Sequence, residues 1–472
     1  MNNCIRGVYF KVSPFEFISI LKYKDIKMVN EHNVAEISGY IDKEKEQNYL
    51  ELASKDKLWV NVEIFDENNI TSQTLFTGVL TGFKIEAKNK LKLLTLEIKT
   101  ATILMDTDLH IRTYQKSSIK YKDIIKSILN NYPNGNYIST VEHDKNIDNL
   151  ILQYKETDWE FIKRLASHFE TVVIPDTETY GTKFYFGVPN FQQEYIVNTK
   201  EYKICKDVNS YDLKKSFNMS IRQYDEITYI FKSRKIFRVG EKIKFNELSL
   251  QVYKIETTFN SDELVHTYYL KTQKGFKIPK YFNNDINGLS LMGNITSVDK
   301  TYVTATIDLD ENKQNCGSRM FLYSTVYSSS DGTGWYCMPE VNDKIRLHFP
   351  NIDEKNAYVI SSYHLESEDS NERQNPDYKS IMNKYKKEIL LTPNTLVLTN
   401  NKGMSIKIED GKGISIISNK DIYINAESNI TVKSNTDKIT MTSPKNVTLK
   451  QGENTMVLKE DITITGEQSK IE

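Results

Sequence analysis

The sequence predicts a mainly β protein: tandem small β-barrels with an inserted α+β region, a further small barrel, and a C-terminal trimeric β-helix or β-prism. Three observations support this fold class. Aliphatic and polar residues alternate over long stretches, tyrosine is abundant at 29 residues, and aliphatic residues near the C-terminus recur every eight positions. A chain of 472 residues is also too long for a single core.

The composition argues against several classes of protein. With 62 Lys and Arg residues against 63 Asp and Glu residues, the net charge is −1, which gives no basis for binding nucleic acid or an anionic membrane. The N-terminus has no basic region followed by an apolar segment, so we expect synthesis in the cytoplasm without a signal peptide. Cys4, Cys205, Cys316 and Cys337 are scattered without a metal-binding or disulfide pattern, and we expect no metal and no cofactor.

Residues 1–110 are predicted to form the first barrel. Val60, Val62 and Ile64 alternate with polar residues, which is typical of a strand with one buried face. Polar clusters of the kind that form turns separate several short stretches of this type. We therefore expect an antiparallel sheet or small barrel.

Two helices are predicted within residues 111–197, the α+β region. The first has an apolar stripe that begins at Tyr121 and must stop before Pro133, because proline cannot continue a helix. The second begins with a capping box, in which Thr157 accepts a hydrogen bond from the Glu160 N–H and the Glu160 carboxylate reaches back. Both helices are expected to pack into a core. The apolar face of the second consists of Trp159, Ile162, Leu165, Ala166 and Phe169.

Two more β regions follow. Residues 198–273 are predicted to form an all-β second barrel, and residues 289–364 a compact barrel whose size suits a five-stranded OB-fold. Similar phrases occur in both, at 239–245 and 341–347, where a polar turn leads into a strand with an inward-facing aliphatic residue. The segment 274–288 between the two barrels is expected to be a linker.

The rest of the chain divides into a connector and a repeat. Residues 365–390 are highly charged and nearly devoid of aliphatic residues, so we expect an exposed, partly helical connector. In residues 391–472, aliphatic residues are spaced by eight, and most are followed two positions later by another. The residues predicted to form the core of this repeat are Leu398, Ile406, Ile408, Ile414, Ile416, Ile422, Ile424, Ile430, Val432, Val447, Leu449, Ile462 and Ile464.

The eight-residue unit predicts a homotrimer. Such a unit provides one short strand and one turn, and it cannot bury its apolar face alone. We expect three chains to wind around a common axis, each contributing one wall of a prism whose aliphatic residues face the axis. Intervening polar residues, such as Ser415 and Thr431, are expected to face water.

The sequence resembles, in all its regions, the fused hub-and-spike family of contractile injection systems, which includes the VgrG proteins of type VI secretion, the late-control-D proteins of contractile phages and relatives in R-type bacteriocins. Residues 153–166 are similar to the family's hallmark, and residues 332–343 to its Gly-x-Gly-Trp and Pro-x-Val-Gly-Asp phrases. Asn342 replaces a glycine in the second phrase, but asparagine tolerates a positive φ, so the turn is expected to persist. The residues that carry the resemblance are Tyr154, Glu156, Asp158, Trp159, Phe161, Arg164, Leu165, Trp335, Pro339, Val341 and Asp343.

The resemblance implies a structural protein with two barrels in a hub, an OB-fold neck and a trimeric spike. Three copies would present six barrels to a sixfold tail tube while the spike stays threefold. The implied partners are tail-tube or tube-initiator proteins, baseplate wedge proteins and a separate cap at the tip. The implied setting is a phage-tail-like particle, either a virion or a released bacteriocin, that acts on the envelope of a target cell.

Three alternatives stay open: the spike carrier of a type VI-like secretion system, a cell-wall-degrading tail lysin and a trimeric adhesin. The hub segment 153–166 counts against an adhesin. Against an enzyme, the seven histidines form no HExxH pattern, and neither a GxSxG motif nor a P-loop occurs. We therefore expect no catalytic residues. Because no histidine follows His364, the spike is expected to bind no tip metal of its own.

Overall fold

The computed structural model describes residues 9–65, 72–88, 91–260, 263–313, 317–363 and 375–458. The chain divides into two compact units, residues 1–365 and 366–472. Strands are the dominant element in both units, which confirms the predicted mainly β class.

The first strands of unit 1 form an antiparallel sheet. Its elements are β1 (Tyr9–Ser13), β2 (Ser19–Met28), β3 (Val34–Ile41), helix α1 (Glu46–Ala53), β4 (Trp59–Phe65), β5 (Ser72–Lys88) and β6 (Leu91–Lys99). Hydrogen bonds order the strands β1-β4-β5-β6-β3-β2. Val60, Val62 and Ile64 are buried, as the alternation predicts. The sequence does not predict α1, because Tyr49 is its only buried residue and the helix lacks an apolar stripe.

The α+β region contains both predicted helices. Its elements are β7 (His110–Tyr114), α2 (Tyr121–Leu129), β8 (Asn136–Ser139), β9 (Ile151–Glu156), α3 (Asp158–Ser167), β10 (Val173–Pro175) and β11 (Lys183–Phe186). Strand β7 pairs with β9, and β8, β10 and β11 form a separate sheet. Both helices bury their apolar stripes. The capping box is also confirmed, since the Glu160 N–H donates to Thr157 Oγ1 at 3.1 Å and the Thr157 N–H donates to Glu160 Oε2 at 3.0 Å.

A second group of strands extends the first sheet. Its elements are β12 (Glu194–Val197), β13 (Lys203–Lys206), α4 (Val208–Ser216), β14 (Ile227–Ser233), β15 (Lys242–Phe245), β16 (Leu248–Asn260) and β17 (Glu263–Lys271). Strand β16 pairs with β2, so twelve strands form one sheet. The prediction that this region is all β is wrong, because it contains α4, whose first turn is capped by the Asp207 side chain. Closure of either group into a barrel stays a prediction.

The segment 274–288 is a packed strap where a linker was predicted. Phe276 and Ile286 are buried, one near each end of the segment. Between them, Asn283 Nδ2 donates a hydrogen bond to the Tyr154 carbonyl at 2.7 Å. Two apolar anchors and a side-chain hydrogen bond hold the strap in place, so it is not a loose connection.

The last strands of unit 1 form a five-stranded antiparallel sheet. Its elements are β18 (Ser290–Asp299), β19 (Tyr302–Ile307), β20 (Met320–Leu322), β21 (Lys344–His348) and β22 (Tyr358–Ser362), in the order β20-β19-β18-β21-β22. Ile243 in β15 and Ile345 in β21 are both fully buried, which confirms the inward aliphatic residue expected in the two similar phrases. Asn342 has a φ of 74°, so asparagine holds the turn in place of glycine. The OB-fold itself stays a prediction.

Unit 2 contains an antiparallel meander and a hairpin. The meander consists of β23 (Lys379–Met382), β24 (Glu388–Thr392), β25 (Thr395–Thr399), β26 (Ser405–Glu409) and β27 (Gly413–Ile417), and the hairpin of β28 (Val447–Gln451) and β29 (Asn454–Leu458). Residues 418–446 form no helix or strand. The helix expected in the connector is wrong over β23, where Ile381 pairs with Ile389 and such aliphatic cross-strand pairs favour a sheet.

Candidate functional site

Strand β9 lies between two hydrophobic cores of unit 1. Leu150, just before the strand, and Leu152 within it pack into the core of the five-stranded sheet. Ile151 belongs instead to the core around α2 and α3. Because alternate side chains of a strand point to opposite faces, β9 joins the two cores directly.

Arg164 of α3 is the centre of a buried ion-pair cluster beside β9. Its Nε and Nη2 atoms donate to the two carboxylate oxygens of Glu156 at 2.8 and 2.7 Å. Nη2 also donates to the Leu152 carbonyl at 2.8 Å, and Nη1 donates to Glu354 Oε1 at 2.8 Å. Glu354 lies between β21 and β22 of the five-stranded sheet. The planar, rigid guanidinium of Arg164 therefore fixes α3 to that sheet.

Arg112 of β7 holds the start of α3 in a similar way. Its Nη1 atom donates to Asp158 Oδ1 at 2.5 Å, and its Nε atom lies 3.3 Å from Glu311 Oε2. Asp158 also accepts hydrogen bonds from Gln153 Nε2 at 2.9 Å and from the Tyr132 hydroxyl at 2.8 Å. As the first residue of α3, Asp158 places its carboxylate at the positive end of the helix dipole.

Asp310 provides a third link between β7 and the five-stranded sheet. Its carboxylate accepts a hydrogen bond from the Thr113 N–H at 2.9 Å and another from the Thr113 hydroxyl. Both residues are buried. We define the junction network as Arg112, Thr113, Gln153, Glu156, Asp158, Arg164, Asp310, Glu311 and Glu354.

The electrostatics of the junction network favour fixed pairing over proton transfer. Burial alone would lower the pKa of Arg164, but Glu156 and Glu354 outweigh that effect and raise it. Burial likewise favours a higher pKa for Glu311, but a backbone N–H and His110 lower it. Each carboxylate of the network accepts at least one hydrogen bond, so none is positioned as an unengaged general base. The arrangement can fix the orientation of the five-stranded sheet relative to α3 and β7.

Most of the first predicted family segment lies at this junction. Glu156, Asp158 and Arg164 belong to the network itself, and Trp159 is buried next to them in the core of α2 and α3. The other members of the segment are Phe161 and Leu165, which are buried in the same core, and Tyr154, which is half-buried.

The second predicted segment lies in the loop between β20 and β21 and forms no part of the network. Trp335 and Val341 are exposed, whereas Pro339 is buried. Asp343 Oδ2 accepts a hydrogen bond from the Glu340 N–H at 2.8 Å, so this pair of acidic residues stabilises a turn.

Sequence reasoning missed Asp310, Glu311 and Glu354. Arg164 and Glu354 are 190 residues apart, and Thr113 and Asp310 are 197 residues apart, so no local pattern links them. One signal was available. An arginine within an apolar helix face is rarely buried unless it is paired, so Arg164 required a carboxylate from elsewhere in the chain.

In unit 2, the meander presents aliphatic side chains on one face. One cross-strand row runs from Ile381 through Ile406 to Ile416, and a parallel row ends at Ile414, which is 71% exposed. Ser415 pairs with a lysine and lies on the opposite face. We define the apolar face as Ile381, Ile389, Leu391, Leu396, Leu398, Ile406, Ile408, Ile414 and Ile416.

The apolar face accounts for only part of the predicted repeat core. The predicted core residues on this face are Leu398, Ile406, Ile408, Ile414 and Ile416. The predicted core residues that are exposed and outside any strand are Ile422, Ile424, Ile430 and Val432. Val447 and Leu449 lie in β28, and Ile462 and Ile464 lie outside the described residues. That these residues face a common axis stays a prediction.

Two kinds of feature are absent from the described part of the chain. No group of three or more His, Cys, Asp and Glu side chains there could hold a metal ion. No helix among these residues has the length and apolar character needed to cross a membrane.

Comparison with known proteins gives one family match. The model of the phage tail baseplate hub (GPD) family matches residues 50–172, which run from the second half of α1 to the residue before β10 and include the hallmark segment. No curated protein matches the chain.

Several solved structures share the fold. The Escherichia coli c3393 protein is a component of the type VI secretion system with structural similarity to the T4 bacteriophage tail proteins gp27 and gp5. It aligns with a TM-score of 0.54 and 12% identity, over 75% of this chain and 100% of its own. A chain of the lidded Francisella PdpA–VgrG complex aligns with a TM-score of 0.57 and 11% identity, over 88% of this chain and 81% of its own. A chain of the half-lidded complex aligns with a TM-score of 0.54 and 11% identity, over 88% of this chain and 88% of its own.

The family match covers the helix α3 and strand β9 that build the junction network, and the solved structures share the surrounding fold. These findings agree with the resemblance in the sequence. Residues 50–172 are therefore identified as a region of the phage tail baseplate hub (GPD) family, in a chain that shares its fold with a type VI secretion component and with a chain of a PdpA–VgrG complex.

Proposed function

We propose that this protein is the central hub and membrane-piercing spike of a contractile, phage-tail-like particle, in which three copies match a sixfold tube to a threefold tip. The observation that carries the proposal is the apolar face of unit 2. A soluble single chain rarely exposes a continuous apolar patch larger than a few hundred Å². Nine aliphatic residues on one face of a five-stranded meander make such a patch.

The register of the meander explains why copies of the same chain suit this face. Strands β25, β26 and β27 each place two aliphatic residues on it. The residue between the two is polar in β26 and β27, where it is Lys407 and Ser415, and it is Val397 in β25. Three such sheets with their apolar faces turned inward form a closed prism with a polar exterior. Each buried aliphatic side chain contributes about 1.5–3 kcal/mol, and a trimer contains three copies of each.

The junction network supports the hub part of the proposal. A spike that is driven into an envelope transmits load to the domains that hold it, and buried, bidentate ion pairs resist a change in domain orientation. The proposed partners are tail-tube or tube-initiator proteins, baseplate wedge proteins, a separate tip cap and the target cell envelope. The protein acts in this scheme by geometry, without catalysis.

Electron microscopy of tagged particles tests this proposal. The tag is expected at the distal centre of the tail tube. A tag on peripheral fibres would favour a trimeric adhesin, and clearing of a peptidoglycan suspension by the purified protein would favour a tail lysin. Either result would overturn the proposal.

A second candidate is the spike carrier of a type VI-like secretion system. It is favoured by the fold shared with a type VI component and with a VgrG complex. Fractionation of producing cells separates the two. Released, free-standing tubes that contain the chain favour a tail-like particle, whereas an assembly that stays bound to the producing cell envelope favours secretion.

A further inference from the structure

The loop between β20 and β21 contains an ordered hairpin that presents Trp335 to solvent. The Trp335 N–H donates to the Tyr327 carbonyl at 2.8 Å, and the Ser329 N–H donates to the Thr333 carbonyl at 2.9 Å. Gly334 has a φ of 136°, and a Cβ atom there would lie 2.4 Å from the Tyr327 carbonyl oxygen, so only glycine fits. Trp335 is therefore held in place although it is 54% exposed.

A cavity of about 580 Å³ lies beside this hairpin. The aromatic residues that line it are Tyr323, Trp335, Tyr336 and Tyr358. The Tyr336 hydroxyl donates a hydrogen bond to the Lys300 carbonyl at 3.1 Å, which positions that ring although the residue is 71% exposed. The volume is that of a small-molecule site, for which about 300–1,000 Å³ is typical.

Hydroxyl groups share the lining with the aromatic rings. The residues that provide them are Thr301, Ser324, Thr325 and Ser328. The Thr325 hydroxyl donates to the Trp335 carbonyl at 2.9 Å, so its oxygen is fixed in position and can still accept a hydrogen bond. The lining can thus contact the apolar face of a ligand and bond to its polar rim. We define the hairpin cavity by Tyr323, Ser324, Thr325, Trp335, Tyr336 and Tyr358.

The hairpin cavity lacks the groups that bind charged ligands. Among the described residues that line it, none is Asp, Glu, Lys, Arg or His. The one carboxylate of the hairpin, on Asp331, accepts hydrogen bonds from the Thr333 N–H at 2.9 Å and from the Thr333 hydroxyl at 2.7 Å, so it stabilises the turn. Phosphates and carboxylates are normally held by Arg or Lys, and the lining therefore favours an uncharged ligand.

The spacing of the rings favours an extended ligand over a compact cation. An aromatic cage for a quaternary ammonium group surrounds one point with several rings. In the described part of the chain, no two of the four rings that line the cavity contact each other, and the Tyr358 ring contacts His348 instead, at a centroid distance of 5.5 Å. Separate rings suit a chain of sugar units, because the apolar face of each unit can pack on one ring.

Backbone groups beside the cavity are already paired. The Ser324 N–H donates to the Val359 carbonyl at 2.7 Å, and the Tyr323 N–H donates to the Thr301 carbonyl at 3.0 Å. Tyr323 and Val359 also form a bridge between the end of β20 and β22. A peptide that adds a strand needs free N–H and C=O groups at a sheet edge. Recognition here therefore depends on side chains, which suits a sugar better than an added strand.

We propose that the hairpin cavity binds an uncharged oligosaccharide, whose apolar ring faces pack on Trp335 and Tyr336 and whose hydroxyl groups bond to Thr325. The inference goes beyond the proposed function, because it gives the chain a ligand of its own, and it does not depend on that function. It also gives a role to the segment 332–343, which forms no part of the junction network.

A glycan array probed with the full-length chain is the first test. The array carries neutral oligosaccharides of glucose, galactose, mannose and N-acetylhexosamines, beside oligosaccharides that contain uronic or sialic acids. We expect binding to at least one neutral series and to none of the acidic ones, and choline chloride should not displace the bound chain. Binding confined to acidic glycans, no binding at all, or displacement by choline would overturn the proposal.

Calorimetric titration with the neutral oligosaccharide that binds best then locates the site. Trp335→Ala is expected to weaken binding by about tenfold or more, a change of about 1.4 kcal/mol, and Trp335→Phe to weaken it less, because it keeps a ring. Tyr180→Ala is the matched control, because Tyr180 is an aromatic residue of similar exposure, 50%, outside the cavity. Equal binding by Trp335→Ala and the control would contradict the proposal.

Light scattering on Trp335→Ala separates a sugar site from a contact between copies of this chain. We expect the variant to have the same particle mass as the unchanged chain. A smaller particle would show that another copy covers the cavity and would overturn the proposal. The position of the tag in electron microscopy still tests the proposed function, so the two can fail separately.

Discussion

The junction network of unit 1 buries charged side chains, whereas the apolar face of unit 2 leaves aliphatic side chains in solvent. In unit 1, Arg164 is fully engaged by Glu156, Glu354 and the Leu152 carbonyl, all from the same chain. In unit 2, Ile406 is 41% exposed although it has an aliphatic neighbour on each side in its cross-strand row. The contrast indicates that the junction is complete within one chain, whereas under the proposed function the meander is completed by further copies.

The largest effect is expected for a charge on the apolar face. Ile406→Asp would place three carboxylates in the core of a trimer and remove three aliphatic side chains, a loss of about 4.5–9 kcal/mol from burial alone. Ser415→Asp is the control, because Ser415 lies on the opposite face of the next strand. Resistance to detergent and protease should disappear only in the first variant. The same loss in both variants would show that the two faces are assigned wrongly.

A somewhat smaller effect is expected at the junction. Arg164→Met removes the cation that pairs with two buried carboxylates, and breaking a buried pair on one side costs about 3–5 kcal/mol. Arg234→Met is the control, because its ion pair with Glu263 is exposed and such pairs contribute less than about 1 kcal/mol. Urea unfolding followed by fluorescence measures both. If Arg164→Met lowered the free energy of unfolding by no more than Arg234→Met, the junction network would not be a rigid connection.

The smallest effect concerns acid sensitivity. Burial lowers the pKa of His168 to about 3 and that of His266 to about 4, below the ordinary value near 6.5. The unfolded chain therefore binds protons that the folded chain does not, and stability is complete above about pH 6.5 and falls as the pH decreases, by up to about 1.4 kcal/mol per pH unit for each histidine.

His266→Gln tests this prediction. Between pH 6.5 and 5, the free energy of unfolding should depend less steeply on pH in the variant than in the unchanged protein. No histidine follows His364, so this sensitivity should be confined to unit 1. The prediction would be contradicted if the free energy of unfolding depended equally steeply on pH in both proteins. Loss of structure in unit 2 between pH 6.5 and 5 would also contradict it.

The features that the sequence predicted are local ones. The stripe of α2, the capping box of α3 and the positive φ at Asn342 each depend on residues within one turn or one strand. The common face of Ile406, Ile408, Ile414 and Ile416 follows in the same way from the alternation of side chains within short strands.

The features that the sequence did not predict depend on contacts between distant residues or on buried polar groups. The pairing of β2 with β16 joins two groups of strands, and the partners of Arg164 and Thr113 come from nearly 200 residues away. Helix α4 has no apolar stripe toward the protein. It is held in place instead by the ion pair between Lys214 and Glu226. Periodicity of aliphatic residues carries no information about such contacts.

Light scattering on the purified full-length chain tests the central claim, that unit 2 is completed by copies of itself. We expect a stable particle of three times the 54.8 kDa chain mass at micromolar concentration. A stable, soluble monomer at that concentration would contradict it, because the apolar face would then persist in water without a partner.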